Sequence, residues 1–333
     1  MKRSIVSFGL SVLAAAAAAQ SAVNIAGNLR MGVVRVNDGT TPIDGSTGGA
    51  PGNSWSMADY SSALILSGKE DLGGGLRAGF ELATFVGLDT GSSWADTGGP
   101  FWSRRAVVKF GGDFGEFYAG RSLTPAALMA LFADPWYWDA SAAQVGWQIH
   151  QANYTSTAYV RTNNTVGYVS PTWGGLQLTL AASPGEGVGS RDVGGSLTYT
   201  AGPLWLGAAY DQSHGFFNNT TKDNMVTLVG AYDFGVVRPM ASYTASEVNG
   251  VDYKSYSLAV TAPVGDRGFV KAHYSYLDDV NPATAAEEAI NKVGVGYQYS
   301  LSKRTNLFGQ FSYAKADTYT ARNTFELGIE HGF

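Results

Sequence analysis

The last eleven residues, 323–333, constrain the fold more than any other stretch of this chain. Phe325, Leu327, Ile329 and Phe333 stand at alternate positions, with small or charged residues between them. Because side chains alternate between the two faces of a strand, this pattern predicts a strand with one apolar and one polar face. An apolar strand that ends on an aromatic ring is typical of a transmembrane barrel, in which lipid covers the apolar face and the ring lies at the membrane edge.

A cleavable export signal is predicted for residues 1–19. Lys2 and Arg3 give a charged start, residues 5–19 form an apolar run, and its last alanines supply a cleavage site. The run is too short for a permanent membrane helix. We expect cleavage after Ala19, with a cut after Ala22 as the alternative and an ordinary alanine-rich helix as the competing interpretation. The mature barrel domain would then cover residues 20–333.

The composition of the remaining chain favours many strands. It has no continuous apolar segment long enough for a spanning helix and no cysteine, so no disulfide framework is expected. The 43 glycines and 18 tyrosines of the full sequence suit turns and aromatic girdles. The formal net charge is −5, and without Lys2 and Arg3 the 20 basic and 27 acidic residues give −7. Nothing in this balance indicates nucleic-acid binding, which favours a basic patch.

Runs of about ten alternating residues recur from Val23 to the end of the sequence. Seven short links and eight longer polar segments separate them, which predicts an all-β transmembrane antiparallel barrel of sixteen strands. A secreted sandwich or solenoid is the alternative, since alternation alone does not distinguish a dry core from lipid. In a barrel, Glu326 and Glu330 should point into water. The predicted short links are 70–75, 111–115, 170–175, 201–203, 233–235, 263–268 and 302–305, and the long segments are 37–59, 87–101, 122–160, 183–192, 212–223, 245–252, 278–290 and 316–322.

Four stretches resemble the Gram-negative general diffusion porins. Residues 67–82 resemble the family's second-turn signature, and residues 101–121 resemble the strand–turn–strand before its constriction loop. Residues 161–171 and the closing segment 331–333 also match. The resemblance implies a homotrimeric sixteen-stranded channel in the outer membrane, with the third long loop folded into the pore. It also implies that the barrel assembly machinery reads the strand ending at Phe333, and we expect outer-membrane lipid and lipopolysaccharide around the barrel.

The longest predicted loop, 122–160, is the candidate for narrowing the channel. A sixteen-stranded barrel is wide enough to hold an aqueous channel unless something fills it. The loop contains the apolar, aromatic run 133–139, which is costly to expose to water, so we expect it to pack inside the barrel. An exposed loop that touches the membrane or a partner is the alternative.

Charges on the inward alternation would set the ion preference of such a channel. Rings of arginine and carboxylate that face each other create a transverse field, which orients polar solutes and biases ion passage. Arg121 lies on the apolar alternation, so its inward placement is implied only by the resemblance. Taken singly, each charge can equally be a solvated rim residue. The candidates for the pore and its constriction are Arg30, Arg77, Glu81, Arg105, Lys109, Arg121, Asp134, Asp139 and Arg161, with Arg238 and Lys271 as further inward cations.

Three positions depart from the family pattern. Ala63 and Ser67 stand where related porins often carry a basic residue, and Arg30 stands where an acidic residue is common. These changes are compatible with a basic constriction whose charges have moved. We therefore expect passive diffusion of ions and small hydrophilic solutes, with a weak preference for anions.

An outer-membrane barrel hydrolase and a loop-mediated adhesin or receptor with a closed pore are the alternative functions. A hydrolase needs a nucleophile beside a base that a third group orients. His150, His214, His273 and His331 lie in no HExxH or GxSxG context, and His273 is the one candidate base on an inward alternation. We predict no catalytic site, no metal site, no cofactor and no enzymatic activity.

Overall fold

The computed structural model describes residues 22–37, 39, 53–60, 62–93, 99–146, 160–185, 191–214, 222–248, 250–278, 289–317 and 319–333. The predicted export signal, residues 1–19, lies outside the described residues. Within these ranges, no helix is long and apolar enough to cross a membrane.

Strands make up almost all of the described chain, together with one α-helix. In the hairpin that joins strands Ala63–Gly73 and Leu76–Phe85, Gly74 and Gly75 have φ angles of 60° and 81°, which glycine adopts without steric cost and which fit the twist of a tight hairpin. The elements are β1 (Ala22–Val36), β2 (Ser54–Ala58), β3 (Ala63–Gly73), β4 (Leu76–Phe85), β5 (Arg105–Gly112), β6 (Gly115–Leu123), α1 (Pro125–Phe132), β7 (Arg161–Val169), β8 (Leu176–Ser183), β9 (Arg191–Ala201), β10 (Leu204–His214), β11 (Lys222–Tyr232), β12 (Arg238–Val248), β13 (Val251–Val264), β14 (Gly268–Leu277), β15 (Ile290–Ser300), β16 (Thr305–Ala316) and β17 (Arg322–Gly332).

The strands form one closed antiparallel barrel. From β3 to β17 each strand pairs with the next in sequence, and β1 pairs with β17 to complete the ring. We call each full-length strand of the barrel wall a stave. Strands β2 and β3 together form the second stave, because both pair with β1. Ala58 lies opposite Gly32 and Ala63 opposite Asn28, so four residues face three at the break. The seventeen strands of the described residues are therefore sixteen staves, and the prediction of a sixteen-stranded barrel is confirmed.

The side chain of Ser62 bridges the break in the second stave. Its hydroxyl accepts a 2.8 Å hydrogen bond from the backbone N–H of Arg30 and donates a 3.1 Å bond to the carbonyl of the same residue. At the break, no described residue of the second stave offers a backbone hydrogen bond to the N–H and carbonyl of Arg30, and the Ser62 hydroxyl replaces it. An unpaired backbone group is costly within a membrane, because no water is present to bond it.

The seven short links lie where the sequence predicts them, all at one end of the barrel. The prediction of a long segment at 245–252 was wrong. Strand β12 continues to Val248 and β13 begins at Val251, and Glu247 and Asp252 are paired within the ladder. Polar composition suggested a loop here, but polar side chains also stand on strands that extend beyond the lipid.

The two faces of the barrel follow the predicted alternation. On β17, Leu327 and Ile329 are 52% and 46% exposed on the outer face, whereas Glu326, one position away, is 0% exposed. The expectation that Glu326 points into water was wrong. Its carboxylate accepts hydrogen bonds from Ser141, so part of the long β6–β7 connection covers it.

Residues 124–146 lie against the inner wall of the barrel. Thr124 caps α1, whose N-terminus also contacts the inward carboxylate of Asp211, with a 2.9 Å bond from the Ala126 N–H. Farther along, the carbonyl of Ala142 is 2.8 Å from His273 Nε2 on β14. Glycines on the wall leave space for this segment, because a Cβ on Gly207, Gly294 or Gly296 would lie 2.5–3.0 Å from its atoms. Residues 147–159 of the predicted loop lie outside the described residues.

Candidate pore constriction

One group of inward charges, the β4–β5 cluster, consists of Glu81, Arg105 and Lys109. Glu81 lies opposite Val107, so Arg105 and Lys109 are its two diagonal neighbours on the same face. The Glu81 carboxylate accepts a 2.8 Å bond from Lys109 Nζ and a 3.4 Å bond from Arg105. One carboxylate thus serves two cations, which leaves one positive charge on this part of the wall.

A second group, the seam cluster, lies where the first and last staves meet. Arg30 is 3.1 Å from Glu326 and 3.7 Å from Glu330, and its guanidinium lies 3.6 Å from the centre of the Phe308 ring. Glu326 also accepts a 2.7 Å bond from the Ser141 hydroxyl and a bond from the Gln310 amide. The cluster therefore joins the seam of the barrel to the segment that covers the wall. Sequence reasoning missed Ser141 and Gln310, for which no motif exists, and left Glu326 and Glu330 out of the site although alternation placed them inward.

A third group, the arginine cluster, comprises Arg104, Arg121 and Arg161. The guanidinium groups of Arg104 and Arg161 lie 5.1 and 5.2 Å from the centre of the Phe85 ring, and Arg161 Nε donates a 2.9 Å bond to the Arg104 carbonyl. Arg121 donates 3.0 and 2.7 Å bonds to the Ser103 carbonyl and the Asn163 side chain. Arg121 and Arg161 thus donate hydrogen bonds to neutral oxygens, and the charge of Asp139 also acts on Arg161.

Arg121 lies beside an irregularity in the strand pairing but keeps the regular alternation on its other side. The β6–β7 register shifts between Gly120 and Ser122, so that two residues of β7 face one residue of β6. Asn164 in this bulge has a φ of 54°, a conformation that asparagine tolerates better than most residues. Arg121 pairs with Ala106, which confirms that its Cα lies on the outward alternation. Only its side-chain contacts join it to the arginine cluster.

The two predicted loop carboxylates have different environments. Asp134 is 1% exposed, and its two oxygens accept 2.8 Å bonds from the backbone N–H groups of Trp136 and Gln144. Burial raises the pKa of Asp134 from 3.8 to about 6. Asp134 thus holds the fold of the segment. Asp139 is partly buried, and its charge acts on Arg161 and on Lys271, whose ammonium also lies 5.8 Å from the Trp136 ring.

The structure does not bring every predicted residue to this region. Arg77 faces inward near the short-turn end of β4, where its Nε is 4.0 Å from Glu116. Arg238 also faces inward and contacts the sulfur of Met240. Phe333 lies on the outer face beside the first strand, where its N–H donates a 3.1 Å bond to the Gly27 carbonyl.

The candidate catalytic base is part of the packing of the β6–β7 segment. His273 is 4% exposed, its Nε2 contacts the Ala142 carbonyl, and its ring meets Trp136 edge-on at 5.6 Å. His331 Nδ1 contacts the Thr305 hydroxyl, His214 lies on the outer face, and His150 is outside the described residues. In the described part of the chain, no three histidines or carboxylates are grouped to hold a metal ion.

Comparison with known proteins identifies the family of this barrel. The model of the Gram-negative porin family matches residues 7–319. Outer membrane porin protein 32 of Delftia acidovorans is 31% identical, with 100% of this chain and 96% of that protein covered. A second outer membrane porin protein, from Bordetella pertussis, is 29% identical, with 80% of this chain and 81% of that protein covered.

Solved structures agree with this result. An anion-selective porin from Comamonas acidovorans superposes with a TM-score of 0.81 at 27% identity, covering 94% of this chain and 100% of that one. OmpT of Vibrio cholerae in its trimer form has a TM-score of 0.71 over 94% and 99% of the two chains, and at 16% identity it shows the fold alone. With a closed sixteen-stave barrel and a family match along nearly its whole length, the chain belongs to the Gram-negative porin family and is a multi-pass β-barrel of the outer membrane.

Proposed function

We propose that this porin is an anion-preferring diffusion channel. We propose further that residues 124–146 narrow its aqueous passage, and that the β4–β5 cluster and the arginine cluster line the narrow part. The observation that carries the anion preference is the shared carboxylate, since Glu81 serves both Arg105 and Lys109. The bonds of Arg121 and Arg161 to neutral oxygens support it further. In a narrow aqueous passage, the excess positive charge of the β4–β5 cluster attracts anions and repels cations.

The similarity to an anion-selective porin at 27% identity supports the same preference. The total charge of −5 does not oppose it, because ion selectivity depends on the charges that face the passage and not on the sum over the chain.

Planar-bilayer recording tests the proposal. The purified barrel should produce discrete conductance steps, and a salt gradient across the bilayer should give a reversal potential of the sign that anion flux produces. Silence in the bilayer would contradict a channel, whereas steps with a cation-signed potential would contradict only the anion preference.

Three further parts of the proposal rest on family membership. We propose a homotrimer, contacts with outer-membrane lipid and lipopolysaccharide, and recognition of the strand ending at Phe333 by the barrel assembly machinery. Unheated gel electrophoresis, in which folded barrels stay compact, would distinguish a trimer from a monomer. We also propose that the protein has no enzymatic activity, since His273 is 4% exposed and packs against Ala142 and the Trp136 ring, where a substrate does not reach it.

A further inference from the structure

An arginine, a histidine and a lysine lie side by side on three neighbouring strands at the long-loop end of the barrel. Arg191 on β9 and Lys222 on β11 both pair with His214 on the strand between them, and we call these three residues the outer rung. Paired residues on neighbouring strands lie on the same face, and strands are about 4.8 Å apart, so the rung spans about 10 Å. Arg191 and Lys222 are exposed, and His214 is partly exposed.

The strand contacts show that the outer rung faces away from the channel. On β10, Gly207 and Asp211 face inward, because they pack against Met129 and the N-terminus of α1. Ser213 continues that inward alternation and is buried. His214 therefore shares the outer face with Tyr210, which is 45% exposed. The side chains of the rung point towards the surroundings of the barrel.

Within the described residues, no member of the outer rung has a side-chain hydrogen bond or an ion pair. The neighbouring aspartates Asp192 and Asp223 stand on the inward alternation, opposite Ser213. Glu247 and Asp252 are on the outer face, but they lie on the next two strands, and Glu247 already accepts a bond from Asn224. The rung is thus a local positive site with unused donors.

The surface below the outer rung is apolar. Going from the rung towards the short-turn end, a pair of amide side chains comes first, and then the outer faces of the same three strands carry aliphatic and aromatic side chains. The exposed apolar residues of this strip are Val193, Leu197, Leu206, Tyr210, Val226 and Leu228. Long loops face outside in outer-membrane barrels, so the rung lies at the level of the outer leaflet's headgroups and the strip at the level of its acyl chains.

We propose that the outer rung binds the phosphate groups of a lipopolysaccharide molecule, whose acyl chains lie on the strip below. Arginine and lysine form short, charge-assisted hydrogen bonds with phosphate oxygens, and the histidine between them supplies a further donor. The apolar strip distinguishes this ligand from a free phosphate ion, which would gain nothing from it. The inference rests on the proposed contact with lipopolysaccharide and names the site of that contact.

Binding of lipopolysaccharide to the refolded, full barrel tests the site. The variant Arg191→Gln/His214→Gln/Lys222→Gln is compared with a matched control, Arg267→Gln/Lys303→Gln/Arg304→Gln, which changes three exposed basic residues at the short-turn end. A basic residue beside an anionic lipid surface contributes about fivefold in affinity, so loss of two permanent charges should weaken binding roughly 25-fold. The control variant should bind like the unchanged protein.

The ligand panel separates the possible sources of phosphate. Dephosphorylated lipopolysaccharide should bind the unchanged barrel as weakly as intact lipopolysaccharide binds the outer-rung variant. Equal binding of the two lipid forms, equal losses in the two variants, equal binding of phosphatidylglycerol, or displacement by inorganic phosphate would each overturn the proposal. An unheated gel mobility equal to that of the unchanged barrel shows that the outer-rung variant is folded. If the triple variant does not fold, Lys222→Gln alone should weaken binding about fivefold, and an unchanged affinity would overturn the site.

This readout is independent of the proposed channel function. A barrel that binds lipopolysaccharide through the outer rung but gives no conductance would contradict the channel and leave the site intact. A barrel that conducts, but whose affinity for lipopolysaccharide is the same with and without the outer-rung substitutions, would support the channel and contradict the site.

Discussion

The guanidinium of Arg30 and the carboxylate of Glu326 meet 3.1 Å apart across the seam of the barrel, and both are almost completely buried. Removing one partner of such a pair leaves an uncompensated buried charge, which costs about 3–5 kcal/mol. We expect Arg30→Met to lower the free energy of unfolding in urea by about that amount. The double variant Arg30→Met/Glu326→Gln should recover part of the loss, because its glutamine can still bond Ser141 and Gln310. Equal stability of the single and double variants would show that the pair does not couple.

Space on the inner wall should control the position of residues 124–146. A Cβ on Gly294 would lie 2.5 Å from both the Ala142 carbonyl and His273 Nε2, so Gly294→Ala must displace the segment from the wall. We expect a smaller and noisier single-channel conductance in a planar bilayer. The matched control is Gly230→Ala on the outer face, whose nearest neighbour is a movable Leu206 methyl at 3.2 Å. Equal conductance of the two variants would contradict a role of this contact in shaping the channel.

The charge of the β4–β5 cluster should set the sign of ion selectivity. Arg105→Glu replaces a cation beside Glu81 with a second carboxylate, so we expect the reversal potential in a salt gradient to move towards cation preference. Arg267→Glu makes the same change of charge in an exposed turn, and should move the potential much less. A potential that Arg105→Glu leaves unchanged would remove Arg105 from the constriction.

Protonation of Asp134 should make selectivity depend on pH near neutrality. Its pKa is raised to about 6 by burial, so the folded protein favours the protonated form, and the stability that this form contributes is lost as the pH rises from about 4 through 6. The shift of about two pKa units corresponds to roughly 3 kcal/mol. Above pH 6, a new negative charge acts on Lys271 and Lys292, so anion preference should fall. In Asp134→Asn, the reversal potential should change little between pH 5 and pH 7. If the variant shows the same pH dependence as the unchanged protein, another titrating group causes it.

Local chemistry made most of the barrel predictable from the sequence. Glycine-rich links such as 73–75 specify tight hairpins, and alternation such as that of 323–333 assigns the two faces of a strand. These signals need no knowledge of distant residues, which is why the stave count and the seven short turns could be derived. The 245–252 segment was missed because polarity at a strand end does not reveal whether the ladder continues, as the pairing of Glu247 with Asp252 shows it does.

The site was less predictable because its contacts are long-range. Glu326 accepts a hydrogen bond from Ser141, which reaches it from 185 positions away in the sequence. The same loop packing buries Asp134, which the sequence placed inside the barrel, but no local pattern revealed that its oxygens would accept bonds from the backbone of Trp136 and Gln144. Arg121 shows a third limit, since alternation places its Cα on the outward face correctly but does not reveal the side-chain bonds to Ser103 and Asn163.

Recognition of the closing strand should depend on the ring of Phe333. This ring packs over Gly27, where a Cβ would lie 2.5 Å from it, and the backbones of the two residues exchange hydrogen bonds of 3.1 and 3.3 Å. These backbone bonds do not need the aromatic side chain, so Phe333→Ala should refold in detergent with nearly the yield of the unchanged barrel. In cells, the same variant should accumulate as unfolded protein if the assembly machinery reads the ring. The measurement is the fraction of heat-modifiable, folded barrel in outer-membrane preparations. Equal fractions for both proteins in cells would remove Phe333 from the signal, and a loss in detergent as well would assign the ring to barrel stability.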